Sequence, residues 1–504
     1  MPSSPAPPAS PLFADRADLA TLLAAALDES VHFLDTAPNR RIGTIKPHAE
    51  VLPAYQYPGN LIGRGTQLAF DTDFGEGQGA LKTLRHFIRR YDDYICGSTT
   101  PRYLGYVTGG VTPAALVGDW LASVYDQNPQ GLRWFGDASA RIEHKTIHLL
   151  QDLLGLDRSF NGGFVTGATV SNFTCLGVAR QWAGRRLGID VARDGMSQRI
   201  PVLTATPHSS AVKALAMLGM GRASIVEVAT LPGREAMDVG DLAKQAASLG
   251  DRPFIVVASA GTVNTADFDD FQAILRLRDR HPFWLHIDGA FGGFANLAGP
   301  PVRRDLLEGW TQADSITVDN HKWLNVPYDS GTWFVKKEHE KLQVEAFKNG
   351  NAPYLDGPHG HFNYLNLGPE NSRRLRALPV WFTIRAYGKP GYRDIVKRCV
   401  DSAFGLAEKI VASEEFELLA PVRLNVVAFT LSGKDDPATI DRFAQLLNNN
   451  GRYFLTPTTL FGRRGLRAAF VNWQASRSIT HHLFLELRAT FAQLTFAPAA
   501  PPTS

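Results

Sequence analysis

With only three cysteines in 504 residues, widely separated, the chain has little sulfur chemistry to offer. Cys96, Cys175 and Cys399 form neither a CxxC pair nor a metal-spaced set with histidine, which leaves no basis for a disulfide framework or a cysteine metal centre. Charge of one sign is also lacking: 52 Lys+Arg against 49 Asp+Glu leave a formal +3. The basic pairs Arg40-Arg41, Arg185-Arg186 and Arg463-Arg464 stand alone and read as solvated faces, so neither a nucleic-acid nor a membrane partner is expected. No run approaches the ~20 apolar residues of a membrane helix. The start, Met1 to Pro8, has neither the basic region nor the apolar core of a secretory signal, which favours a cytoplasmic protein. No repeat recurs at a fixed period. The proline-rich start and the Ala497 to Pro502 tail read as disordered ends.

What is present is enough apolar material, 44% of the chain, for a large core in two or three domains. Residues 1–100 show helical patterns, such as Leu19 to Leu27, and an irregular stretch from Pro53 to Gly65, but no strand set able to form a core. Residues 101–380 alternate strands with helices. The strands fall at Gly163 to Thr166, Pro201 to Thr206, Pro253 to Ala258, Phe283 to Ile287 and Ser315 to Val318, the pattern of an α/β fold with a mainly parallel sheet. Residues 381–504 begin with a long helix, Tyr392 to Ser413, followed by strands at Val422 to Leu431 and Gly465 to Phe470, which predicts a small C-terminal α/β domain.

Two of these strands end on ionisable residues, where α/β proteins build their ligand crevice. Leu285-His286-Ile287-Asp288-Gly289-Ala290 closes on an aspartate, and Ser315 to Val318 leads into Asp319-Asn320-His321-Lys322. A lysine able to form a Schiff base, with an aspartate able to partner a pyridinium nitrogen, is what pyridoxal 5'-phosphate requires. On these residues the chain resembles the group II pyridoxal-phosphate-dependent amino-acid decarboxylases, the family of the aromatic-amino-acid, glutamate and histidine decarboxylases. The resemblance covers nearly the whole chain. It implies the fold-type-I transferase architecture, a homodimer with active sites at the subunit interface, and an N-terminal segment packed across that dimer.

The stretch Thr166-Gly167-Ala168-Thr169-Val170-Ser171-Asn172 lies where a strand turns into a helix, and a helix N-terminus offers free amides and a positive dipole end to a dianion. Gly167 admits close backbone approach, and the Thr169 and Ser171 hydroxyls can donate. By itself the segment reads more readily as an ordinary Thr/Ser helix cap. The resemblance assigns Ala168 and Thr169 to the phosphate, with Asp319 and His321 nearby; many family members have Asn at the first of these. It likewise assigns His208, in His208-Ser209-Ser210, to stacking on the pyridine ring, Thr262 to the Asp288 side of that ring, and Ala290 to the surface beneath it.

Counting back without gaps from the arginines of Ser372 to Trp381 sets Tyr364 level with the mobile-loop tyrosine that protonates Cα in the family's decarboxylases. Related plant aldehyde synthases have phenylalanine there, so a tyrosine favours decarboxylation over oxidative deamination. The chain departs from the family at Thr100-Pro101, where many members have His-Pro. Tyr103, Leu104 and Tyr106 beside it predict an apolar pocket wall, whereas Arg102 offers a partner to an acidic substrate. The expected activity is decarboxylation of an aromatic or bulky L-amino acid. Another pyridoxal-phosphate reaction (aldehyde synthase, aminotransferase-type or carbon–carbon lyase) and a catalytically silent cofactor-binding protein remain open.

Overall fold

Short apolar runs alternating with helices pair into one seven-stranded sheet in the computed structural model of the protein, which describes residues 11–42, 77–131, 138–302, 305–349, 363–434 and 436–496. Its strands are β1 (Phe160–Val165), β2 (Val202–Thr204), β3 (Ile225–Glu227), β4 (Phe254–Ser259), β5 (Phe283–Asp288), β6 (Ser315–Val318) and β7 (Gly331–Lys336). They lie in the order β1-β7-β6-β5-β4-β2-β3. Strands β2 to β6 pair in parallel, while β7 runs antiparallel to both β1 and β6. β4 and β5 are buried along their whole length, as expected of strands covered on both faces. The register sets Ser259, Asp288 and Thr317 side by side at one edge.

The five expected strands are present, and two more join them. β3 is three residues long and only half-buried, and β7 follows a Tyr-Asp-Ser-Gly turn with no helix before it, so neither carries the alternating strand–helix signature. A second sheet holds β8 (Phe416–Leu418), β9 (Val426–Leu431), β10 (Thr456–Leu460) and β11 (Arg463–Ala469) in the antiparallel order β10-β11-β9-β8. The helix expected from Tyr392 starts earlier, running over Ala377–Val411 with one non-helical residue, Gly388, at φ 57°. The break signals Gly388-Lys389-Pro390-Gly391 hide its first half in the sequence, and the boundary placed near residue 380 falls within it.

Of the N-terminal helices, Leu19–Thr36 and Ala80–Tyr91 bury no residue at all. Leu23, Leu27, Val31 and Leu34, spaced four, four and three apart on one face, are exposed. The Pro53 to Gly65 stretch, the first eight residues and the Ala497 to Pro502 tail lie outside the described residues. Among the described residues no helix is long and apolar enough to cross a membrane.

Candidate active site

Five strands deliver their C-terminal ends to one edge of the large sheet. From β1 the chain turns at Gly167 into the Ala168–Arg186 helix, whose first turn carries Ala168 and Thr169 and which has no side-chain cap. From β2 it passes to His208, whose Nδ1 accepts from the backbone of Ser210 and so caps the Ser209–Met217 helix. β4 leads to Thr262, β5 ends on Asp288, and β6 leads through Asp319 and His321 to Lys322. A side chain built at Gly167 would meet His321 at 3.4 Å and Asp319 at 3.7 Å, which puts both at the helix mouth.

His208, Thr262, Asp288, Ala290 and Lys322 line a single cavity of about 290 Å³, joined by Tyr106, Glu235 and Phe291. The Lys322 amine lies 3.6 Å from Asp319 Oδ2 and 5.7 Å from the centre of the Phe291 ring. Asp319 Oδ1 in turn lies 3.0 Å from His321 Nδ1. Asp288 is nearly buried, accepting from Ala290 N at 3.1 Å and from Asn172 Nδ2 at 3.0 Å. Burial lowers the pKa of His208, with Asp288 opposing, and favours a neutral imidazole. The Lys322 loop is braced from outside: Gly109 N donates to His321 O at 3.1 Å, and a methyl at residue 109 would sit 1.8 Å from Lys322 O.

Residues 81–432 match the pyridoxal-dependent decarboxylase conserved domain. The chain belongs to this family. As in its other members, the cofactor is pyridoxal phosphate and the reaction class is amino-acid decarboxylation. Among curated proteins, this decarboxylase-family chain is 28% identical to the aromatic-L-amino-acid decarboxylase of Bacillus atrophaeus over 436 residues, covering 82% of this chain and 86% of that one. It is 30% identical to the L-2,4-diaminobutyrate decarboxylase of Acinetobacter baumannii over 345 residues, covering 65% and 64%. The crystal structure of Oryza sativa TDC with PLP and tryptamine shares the fold, with a TM-score of 0.80 over 95% of this chain and 98% of that one at 20% identity. The fold is thus that of the fold-type-I pyridoxal-phosphate enzymes.

The residues present fit that cofactor. An uncapped N-terminus on a 19-residue helix suits a phosphate, and the cavity is lined by the imidazole of His208, Ala290, the carboxylate of Asp288 and the amine of Lys322.

Two expected groups lie elsewhere. Ser171 is fully buried; its hydroxyl donates to Thr332 O at 2.9 Å and meets Thr317 Oγ1 at 2.8 Å, so it anchors the helix to β6 and β7 rather than facing a phosphate. The reason is helical spacing: one turn in from Gly167, the side chain points to the sheet. Tyr364 is also not brought to the cavity. Only 2% exposed, it packs in the core with Val165 and Trp333, and its ring lies 4.7 Å from the Arg373 guanidinium. Arg373 is itself paired with buried Glu143. Burial raises the Tyr364 pKa well above 10, which opposes proton donation. The gap-free count therefore landed on a core residue. The only other tyrosine between Phe347 and Arg373 is Tyr354, in the 350–362 segment outside the described residues.

Of the pocket-wall residues, Tyr103 and Tyr106 flank a second cavity with His321 and Tyr328, while Leu104 is buried. Arg102 donates to Arg40 O at 3.0 Å and Arg452 O at 3.2 Å, so it is occupied by backbone carbonyls. Sequence reasoning missed Asn172, Ser210, Glu235, His286 and Ser315. His286 had a visible signal, lying two residues before Asp288 on a buried strand and therefore on the same face. Glu235 had none, because Gly-Arg-Glu-Ala reads as an ordinary polar turn. Its carboxylate accepts from Thr262 Oγ1 at 2.6 Å, Thr265 N at 3.0 Å and Asn264 Nδ2 at 2.9 Å.

Proposed function

We propose that this protein converts an L-amino acid with an aromatic or otherwise bulky side chain into its amine and carbon dioxide, with Lys322 as the point of cofactor attachment. The observation that carries the reading is the convergence of Lys322, Asp288 and His208 on one cavity. The substrate preference is supported by the aromatic lining of that cavity, where Tyr106 and Phe291 are both present and Tyr106 packs on Phe454 at 5.8 Å. Arg102, the cation that would have favoured an acidic substrate, is engaged elsewhere, and the wall carries the Glu235 carboxylate instead.

Pyridoxal phosphate, when bound, supplies the sink for the electron pair left by the departing carboxylate. The chain does the rest. Lys322 would hold the cofactor through its amine, the group whose place the substrate amine would take. Asp288, fixed by Asn172 and the Ala290 amide, holds a proton at the ring nitrogen. Ala168 and Thr169, at the open end of their helix, bind the phosphate with His321 and Asp319 alongside. His208 and Ala290, which line the cavity, would confine the ring, and Thr262 would contact it beside Asp288. We further propose a cytoplasmic homodimer, supported by the exposed apolar face of the Leu19–Thr36 helix.

The test is a screen of purified protein against the common L-amino acids, detecting amine and carbon dioxide, with borohydride reduction and peptide mapping of the cofactor adduct. Amine and carbon dioxide from an aromatic substrate, with the label on Lys322, are expected. Label on another lysine would overturn the attachment site, and aldehyde with ammonia and peroxide would replace simple decarboxylation by an aldehyde-synthase reaction.

A further inference from the structure

Behind Asp288 runs a chain of buried polar groups whose proton positions follow from donor and acceptor chemistry. Trp284 Nε1 donates to Ser315 Oγ at 2.9 Å, and Ser315 Oγ lies 2.9 Å from His286 Nδ1. His286 Nε2 lies 2.9 Å from Asn172 Oδ1. Asn172 Nδ2 donates to Asp288 Oδ2 at 3.0 Å and to Ser210 Oγ at 3.1 Å. Ser210 Oγ then lies 2.7 Å from His208 Nδ1. Every member from Trp284 to Asp288 is buried, so none can borrow a partner from water.

Two members have no choice of role. An indole N–H only donates and a carboxylate only accepts. Asn172 must therefore turn its NH₂ toward Asp288, which leaves its carbonyl for His286. His286 must carry its proton on Nε2, and burial keeps the imidazole neutral by lowering its pKa to about 4. Its Nδ1 then accepts from Ser315, whose own oxygen receives the Trp284 indole proton. At the other end, Ser210 Oγ receives the second Asn172 proton and so directs its hydroxyl at His208 Nδ1, where the Ser210 amide also points at 3.2 Å. The proton of His208 is thereby confined to Nε2.

We propose that Asn172 is a positioning residue for the decarboxylation, its single amide tying Asp288 to His208 and fixing the hydrogen-bond polarity of both. This rests on the reading of those two residues as the cofactor's clamp. One side-chain amide orients the carboxylate under the ring nitrogen and, through Ser210, keeps the imidazole in the tautomer that offers N–H to the cavity. The charged and titratable groups around His208 are Asp288 on β5, Lys322 and Asp319 on the loop after β6, Arg467 on β11, and Glu235 across the cavity. None of these is removed by the substitutions below.

Two variants separate the links. Ser210→Ala cuts only the His208 branch, whereas Asn172→Leu keeps the branched outline at a larger volume and removes the donor to both Asp288 and Ser210. The readouts are the dissociation constant of pyridoxal phosphate for the apo-protein across pH and the acid limb of kcat/KM. For Ser210→Ala the acid limb and the affinity midpoint should move up by about half to one pH unit, because the neutral imidazole loses a donor. For Asn172→Leu affinity should fall by about tenfold to a hundredfold, with the same upward shift. Adding Ser210→Ala to Asn172→Leu should move the midpoint no further. An unmoved midpoint in Ser210→Ala overturns the proposal even if Asn172→Leu fails to fold. The affinity arm needs no turnover, and Lys322 labelling in the parent protein tests the functional reading separately.

Discussion

Lys322 is set between a carboxylate and an aromatic face, Asp319 and Phe291, and its replacement is the most direct probe of the site. Lys322→Ala should lose the borohydride-fixed adduct and nearly all turnover. Asp288→Asn should still bind cofactor yet react about a hundredfold slower or worse, measured in single-turnover mixing, because the ring nitrogen loses its proton-holding partner. Tyr364 gives the opposite expectation. Since its ring fills core space against Arg373, Tyr364→Phe should keep amine formation within about twofold, while Tyr364→Ala should cost about 3–5 kcal/mol in denaturant unfolding. If Tyr354 supplies the proton to Cα, Tyr354→Phe should divert product toward aldehyde, ammonia and peroxide; oxygen uptake during turnover reads the difference. His286 links the site to acid stability. Its folded pKa of about 4 lies below the ~6.5 of an unfolded histidine, so the unfolded chain binds the extra proton between these values. The stability gained by keeping it neutral is whole above pH ~6.5 and is lost as pH falls toward 4, about 3 kcal/mol in all. Urea midpoints measured from pH ~7 to ~4 should fall less steeply in His286→Asn.

At the level of elements, the Lys322 loop is gripped by two remote segments. Asn325, at φ 55°, receives Thr112 N on its carbonyl at 2.9 Å; its side chain donates to Val471 O at 3.0 Å and accepts from Trp473 N at 2.9 Å. Gly109 closes the grip from the other side, with no room for a methyl group. Gly109→Ala should therefore weaken cofactor binding and lower the melting temperature while leaving every cavity side chain in place; a variant with normal cofactor occupancy would show that the loop yields. Such grips are invisible in a sequence, because they join residues hundreds apart through backbone atoms that any side chain could carry. The strand ends were legible for the contrary reason. Asp288 ends a short apolar run and Lys322 follows one by four residues, so local periodicity pointed to them, while His208 was singled out by the family resemblance. Ser171 and Tyr364 failed where orientation mattered: hydroxyl chemistry names a donor without saying which way the helix turns it, and a count across a variable loop fixes no register.

For the molecule as a whole, the N-terminal helices set the question of assembly. Leu19–Thr36 and Ala80–Tyr91 contain no fully buried residue, and the exposed apolar stripe of the first calls for a partner surface. Sedimentation of the full chain should show a dimer. Removing residues 1 to about 12 should be harmless, while deletion through about 90 should leave insoluble or inactive protein; a stable active monomer from that truncation would end the dimer argument. The antiparallel insertion of β7 between β1 and β6 also sets an order of events during synthesis. β1 and the helix that follows it leave the ribosome long before Gly331–Lys336, yet β1 has no other neighbour in the sheet. Within the sheet, the strand leading to the Gly167 turn is connected to the strand leading to the Lys322 loop only when that late strand pairs with both. A product truncated before β7 leaves β1 without its sheet partner and should emerge colourless.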